Sequence, residues 1–373
     1  MRFLHTADWH IGKKLQGYNL IEDQKYVLAQ ILEIAKEEKV DAIVIAGDLY
    51  DRSVPAVDAI EVFNELMVEW NLHEKFPIFA ISGNHDSNIR LSAGTPWFSH
   101  SNYFLQTRFE ESFQPIEFKN SQFFLLPYFE PIAARIYFED ETIKTIQQAV
   151  EKVVDRMQEA FDPNKKHILI SHFCVMGSTK SDSETKIEVG GLDAVPGELL
   201  EPFDYVGLGH LHNKSALHQK NARYSGSPLK FSLSEINQQK GVWIVDLEEE
   251  LSLTFRELTP LFEIEEITAT FKELLDPTFY QKINRENYVQ IYLEDRTIIP
   301  NMMNQLRKIY PRILGVERSN GREVQVKRNS KKAVTKDPQK LVQGFFKEMT
   351  NEELTEKQNQ WLTETLQELT ETE

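Results

Sequence analysis

Over about the first 250 residues, short apolar runs with the length and composition of buried strands alternate with stretches whose apolar residues recur at helical spacing. The runs are RFLHTA, DAIVIAG, PIFAISG, FFLLPY, HILISH, DYVGLGH and GVWIVDL. IEDQKYVLAQILEIAKEEK, VDAIEVFNELMVEW and FEDETIKTIQQAVEKVVDRMQEAF supply helices between them. Strand–helix–strand repetition predicts an α/β, or layered α+β, domain with helices packed on sheet. After LTPLFE the texture shortens. FKELL and IPNMMNQLRKIY read as helices, and YVQIYLED (alternating) and RILGVERS as strands, which suffices for a small α+β domain. LVQGFFKEM and TNEELTEKQNQWLTETLQEL then predict two amphipathic helices, the second opened by a Thr350/Glu353 capping box. Leu354, Trp361, Leu362, Leu366 and Leu369 share one face of it. The expected boundaries are 1–261, 262–325, a basic linker at 326–337, and the helix pair at 338–373.

The ends of the strand-like runs carry the chemistry. Five stretches place His, Asp or Asn directly after an apolar run: ADWH (Asp8, His10), AGDLYD (Asp48, Asp51), SGNHD (Asn84, His85, Asp86), ISHF (His172) and GLGHLH (His210, His212). One His at a strand end is ordinarily a hydrogen-bonded structural residue, and one Asp there ordinarily a turn or cap. Together these stretches hold five of the ten histidines, and loops at the carboxyl ends of strands line the functional crevice of such sheets. In Asp-x-His and His-x-His, both side chains project to one side of an extended segment. Glycine before Asp48, Asn84 and His210 lets the backbone turn and come close to the site.

Imidazole, carboxylate and carboxamide donors without thiolate suit manganese or iron, with zinc also accommodated. Seven of them (Asp8, His10, Asp48, Asn84, His172, His210 and His212) exceed one tetrahedral site and suffice for two ions if a carboxylate bridges. Two adjacent divalent ions are suited to phosphoester hydrolysis.

D-x-H, G-D-x-x-D, G-N-H-D, a lone strand-end His and G-H-x-H, in this order, resemble the calcineurin-like metallophosphoesterases. MRFLHTADWHIG, VDAIVIAGDLYDRSVP, ISGNHDS, GSTKSDSE with GGLDAVP, DYVGLGHLH and RYSGSPLKFS narrow the resemblance to the bacterial double-strand-break repair nucleases, kin to those of archaea and eukaryotes. The resemblance runs through the small domain and the terminal helices. One departure is Ser171, where many metallophosphoesterases have glycine before the ligand His.

The resemblance implies a metallophosphoesterase β-sandwich flanked by helices, a small capping domain that guides DNA, and a helix pair that docks on a partner. It implies one ion on Asp8, His10, Asp48 and His212, and a second on Asp48, Asn84, His172 and His210, with Asp48 bridging. His85 would face the scissile phosphate, while Asp86 and Asp51 support it from behind. The implied cofactor is two divalent ions, manganese by preference, with magnesium, iron or zinc as alternatives. The implied activity is 3′–5′ exonuclease on duplex ends plus endonuclease on hairpins and single strands, in DNA repair, recombination and replication.

No GxxxxGK[ST] loop occurs, so ATP dependence would come from the family's partner, an ABC-type ATPase with a long coiled coil. A nuclease homodimer within a two-plus-two assembly is also implied. The other phosphoesterase reading, a protein phosphatase or nucleotide phosphodiesterase, fits less well: Ser53 replaces the glycine of GDxxDRG, and GNHD stands where GNHE is typical. A scaffold without activity should have lost ligands, and none is missing.

A net charge of −16 argues against a non-specific nucleic-acid coat, although 308–336 is locally basic and suits phosphate contacts. Lys13, Lys14 and Lys180 are further candidates for DNA contact. A single cysteine, Cys174, read as a buried spectator, excludes an internal disulfide framework and fits a reducing compartment. With no leader-like start and no long apolar run, the expectation is a cytoplasmic, nucleoid-associated protein that does not enter membranes.

Overall fold

The computed structural model describes residues 1–179, 181–184, 194–319, 338–350 and 353–371. Two sheets face each other in the larger unit, Met1–Ser319. The first has six strands in the order Ser252–Glu257, Gly241–Asp246, Arg2–Thr6, Ala42–Ala46, Ile78–Ile81 and Tyr103–Gln106. The second has five, in the order Ala222–Tyr224, Tyr205–Leu208, Lys166–Ser171, Ser121–Leu126 and Ile116–Phe118. Pairing is parallel from Arg2–Thr6 to Tyr103–Gln106 and from Ala222–Tyr224 to Ser121–Leu126. Each of the strands that precede the polar motifs therefore delivers its carboxyl end to the same rim.

Phe3, Val44, Phe79 and Ile81 from one sheet meet Phe123, Leu125, Ile168 and Tyr205 from the other. Phe79 and Phe123 stack with ring centroids 4.1 Å apart. Each of these fully buried side chains contributes on the order of 1.5–3 kcal/mol. The outer face of the first sheet is covered by helices Ile21–Glu37 and Val57–Met67, and that of the second by Pro131–Phe138 and Ile146–Gln158. The result is a helix–sheet–sheet–helix sandwich. The strands read as continuous apolar runs because both faces are covered.

Where one helix is expected over 138–161, a helix at Pro131–Phe138 ends as that stretch begins and a second covers only Ile146–Gln158. Glu139 adopts a left-handed conformation (φ 53°) and ends the first, while Thr145 and Gln148 form a capping box that opens the second. The small parallel sheet consists of Ile264–Ala269, Tyr288–Leu293 and Arg312–Arg318; the last two fall on YVQIYLED and RILGVERS, and the first is a strand not expected from the sequence. Its central strand is buried on both faces rather than alternating, because Val289, Ile291 and Leu293 pack into the small domain's own core while Tyr288 packs against Leu20, Val27 and Phe231. Within the expected basic stretch, Arg312 bonds the Glu286 carboxylate and stacks over Phe262, and Arg318 donates to the carbonyls of Asp295 and Thr297. These two guanidiniums tie the third strand to residues flanking the sheet; Lys180 and 320–337 lie outside the described residues.

The second unit contains helices Pro338–Thr350 and Glu356–Glu371. They are joined by Gln343–Asn359 and Gln339–Thr363 side-chain hydrogen bonds of 2.8 and 2.9 Å. The second helix is capped by Thr355 with Gln358, five residues after Thr350, and Glu353 instead pairs with Lys347. Val342, Phe345 and Trp361 are exposed. No described helix is long and apolar enough to cross a membrane.

Candidate metal centre and active site

All seven candidate ligands come together at the shared rim of the two sheets. Asp8, His10, Asp48 and Asn84 leave the first sheet, and His172, His210 and His212 leave the second. Asp8, His10, Asp48, His172 and His212 are buried, and Asn84 and His210 are half-buried. The Nε2 atoms of His10 and His212 face each other at 3.1 Å. Asp48 Oδ2 lies 3.5 Å from His10 Nε2 and 3.3 Å from His172 Nε2. Asn84 Oδ1 is 3.0 Å from His172 Nε2 and 3.1 Å from His210 Nδ1. Donor atoms of Asp8, His10 and His212, and again of Asp8, Asp48 and His172, lie within 4.8 Å of one another.

The backbone reaches this arrangement differently from the extended geometry expected of Asp-x-His and His-x-His. Asp8, His10, Asp48 and His210 all have left-handed φ values, from 44° to 94°. Such conformations are costly for residues with a Cβ and concentrate at functional sites. Trp9, between Asp8 and His10, turns into the core beneath the first sheet. Gly83 and Gly209 permit the close approach, since a Cβ would overlap the Asp48 carboxylate at one and the Ala46 carbonyl at the other.

The donor chemistry fits divalent cations. Nitrogen and oxygen lone pairs converge in a largely buried site, where His10 Nε2 faces both His212 Nε2 and Asp48 Oδ2. His172 Nδ1 lies 2.8 Å from the Ala46 carbonyl, which only accepts. Its proton is thereby fixed on Nδ1, and Nε2 is aimed at Asp48 and Asn84.

Protons also compete for these groups. Burial raises Asp8 to about 7, with the neighbouring Asp48 charge adding to it. Burial would raise Asp48 too, but the His172 and His10 imidazoles outweigh it and hold Asp48 well below the usual carboxylate range. His172 is carried up to about 9, because Asp48 overcomes the opposing effect of burial.

A group raised above neutrality carries a proton that a cation must displace. Metal affinity is therefore expected to rise as pH increases from 6 to 9, and uptake at pH 7 to release on the order of one proton per chain. Calorimetric titration of manganese in buffers of different ionisation enthalpy measures this directly; uptake without proton release contradicts the assignment of Asp8 and His172.

Beside these donors, the Asn84–His85–Asp86 turn is tied down from several directions. The Asp86 carboxylate accepts from the backbone N–H of Leu49, Tyr50 and Gly83 at 2.9–3.1 Å, clasping one motif to the next. Burial, with the Asp48 charge, pushes Asp86 up to about 7 against those three donors. The His85 backbone N–H donates to Asp48 Oδ1 at 2.8 Å, and its Nδ1–H donates to the Asp51 carbonyl at 3.0 Å. The Asp51 carboxylate pairs with Lys13 at 2.9 Å. His85 stands edge-on to His10, with centroids 4.8 Å apart.

Of the histidines without a motif, His5 is buried against the Tyr205 hydroxyl, His167 bonds the Asp162 carbonyl, His73 pairs with Glu69, and His100 and His218 are exposed. Cys174 is buried. Sequence reading gives no site role to Glu235 and Lys240, nor to Ser183 and Glu184, which enter in GSTKSDSE for the resemblance alone; all four surround His212. In the sequence they look like ordinary solvated polar residues.

Residues 1–214 match the family model of the calcineurin-like phosphoesterases. The SbcD subunit of the SbcCD nuclease from Staphylococcus epidermidis is 38% identical over 367 residues, covering 96% of each chain. This chain belongs to the SbcD family of calcineurin-like phosphoesterases. A second family model, the Type 5 capsule protein repressor C-terminal domain, matches residues 260–350. Among solved structures, a dimetal phosphatase from Danio rerio is 14% identical, covers 69% of this chain and 96% of its own, and gives a TM-score of 0.40. The TT1561 protein of Thermus thermophilus is 13% identical, with coverages of 68% and 98% and a TM-score of 0.38. As an SbcD-family phosphoesterase, the chain is a metal-dependent phosphodiesterase.

Proposed function

We propose that this chain is the nuclease component of an SbcC–SbcD complex, hydrolysing DNA as a 3′–5′ exonuclease on duplex ends and as an endonuclease on hairpins and single strands. The observation that carries the reading is Asp48. One carboxylate oxygen lies within 3.3–3.5 Å of imidazoles belonging to two donor groups, as a bridging ligand requires. Asp8, His10, Asp48 and His212 would hold one ion, and Asp48, Asn84, His172 and His210 the other. Manganese is the proposed metal. When bound, two divalent ions supply Lewis-acid activation of water and neutralise charge on the phosphoryl oxygens.

The protein's own groups do the remainder. The Asp86 clasp holds the turn, and the Asp51 carbonyl orients His85 so that its Nε2 can meet the phosphodiester. The small sheet serves as the DNA-capping domain, and the enzyme works in the cytoplasm at the nucleoid. The deciding experiment incubates purified protein, manganese and end-labelled duplex and hairpin DNA, with and without SbcC and ATP. Release of nucleotides is expected, and its absence under all four conditions overturns the reading.

The helix pair is the proposed docking element for SbcC, in a complex of two copies of each protein. Exposed Val342, Phe345 and Trp361 offer an apolar face of the kind that seats in a groove of a partner coiled coil. Deleting 338–373 is expected to abolish co-elution with SbcC while manganese-dependent cleavage of short substrates stays within about threefold, since the helices supply none of the site's donors. Co-elution that survives the deletion removes this assignment.

A further inference from the structure

His212 is held at every polar atom except the one that faces the metal centre. Its backbone N–H donates to Glu184 Oε1 at 2.7 Å, and its carbonyl accepts from Lys240 Nζ at 2.8 Å. Its Nδ1 lies 2.6 Å from Ser183 Oγ. The remaining atom, Nε2, faces His10 Nε2. The holding residues come from 181–184 and 235–240, which contribute none of the seven candidate ligands.

The hydrogen bonds around Nδ1 have a defined direction. Ser181 Oγ–H donates to Glu184 Oε1 at 3.1 Å, which leaves the Ser181 oxygen to accept from Ser183, 3.0 Å away. With its proton committed to Ser181, Ser183 Oγ can only accept from His212. The imidazole proton must then sit on Nδ1, and the lone pair on Nε2. A carboxylate at the far end, with lone pairs alone to offer, makes the relay one-way.

Opposite it, the ammonium of Lys240 is buried with Glu235 at 2.5 Å, and also reaches Ser227 Oγ and Gln238 Oε1. A buried ion pair is a weak stabiliser, because desolvation offsets its attraction. Its bond to the His212 carbonyl gives it a different use.

We infer that Ser183, Ser181 and Glu184 are positioning residues that fix His212 as its Nδ1–H tautomer, with the Lys240–Glu235 pair clamping the same residue from its backbone. The inference rests on the proposed role of His212 as a ligand. Groups that orient a metal-binding imidazole commonly govern affinity by about 10–100-fold.

The test is manganese titration of the full chain, followed by electron paramagnetic resonance. Ser183→Ala is expected to weaken one of two ions by about 10–100-fold, leaving the other unchanged and replacing the coupled two-ion spectrum with that of one bound ion. Ser183→Thr, which keeps the hydroxyl, should restore the pair, and the metal-free melting temperature of both should match the parent. Lys240→Met is expected to weaken the same ion; if that buried change prevents folding, Ser183→Ala decides alone. His212→Ala separates the ligand role from the positioning role. If it keeps both ions at parental affinity, the ligand assignment falls and takes the inference with it. If it loses one ion while Ser183→Ala keeps both at parental affinity, the ligand assignment stands and the positioning role is overturned.

Discussion

Replacing His85 by leucine is expected to slow phosphodiester cleavage by about 10²–10⁴-fold while both manganese ions stay bound. That loss corresponds to roughly 3–5 kcal/mol of transition-state stabilisation. The direction of its hydrogen bonds separates this residue from its neighbours. The Asp51 carbonyl holds the Nδ1 proton of His85, so Nε2 is the nitrogen that can act on the substrate. A side chain that protonates the leaving oxygen, or stabilises charge on phosphorus, works from that atom.

Leucine removes both nitrogens but leaves the backbone N–H that donates to Asp48, along with the Asp86 clasp. The ligand frame should therefore survive. A competing arrangement is present in the same corner: donor atoms of His10, Asp51 and His85 also lie within 4.8 Å of one another. Metal content distinguishes the two. Elemental analysis of the variant should still find two ions, single-turnover cleavage should show the loss, and a variant that holds fewer ions makes His85 a ligand.

Which parts of this were legible in the sequence follows from what each depends on. The seven strand-like runs and the polar residues behind them were legible because burial on both faces forces continuous apolar segments. The helix boundary near Glu139 was not, since a left-handed non-glycine residue breaks the chain without a Gly or Pro to announce it. The same blindness covers Asp8, His10, Asp48 and His210, whose φ values place donors where an extended strand could not. The surround of His212 was invisible for a different reason. Glu184, Glu235 and Lys240 are spelled like solvated surface charges, and only the return of two loops to one imidazole makes them buried partners. Arg312 shows the converse, a residue of a basic stretch committed to stacking on Phe262.

Asp48→Ala should have a larger effect than His85→Leu, with cleavage reduced by more than about 10⁴-fold, beyond the range that loss of a general acid alone accounts for. Its carboxylate serves three neighbours at once. Oδ2 stands between His10 and His172, and Oδ1 accepts the His85 backbone N–H. Alanine therefore takes a donor from both groups of ligands and releases the turn that carries His85. Without the Asp48 charge, His172 loses the main influence holding it up near 9, so its proton is shed at lower pH. That change alone would favour metal binding at neutral pH, and a net loss of both ions must come from the missing carboxylate. A ligand that binds only the folded state raises the melting temperature. Manganese should stabilise the parent chain in this way and leave the melting temperature of Asp48→Ala nearly unchanged. A variant that still takes up one ion at parental affinity would show that Asp48 belongs to a single site, and the shared-ligand reading of the centre would have to be abandoned.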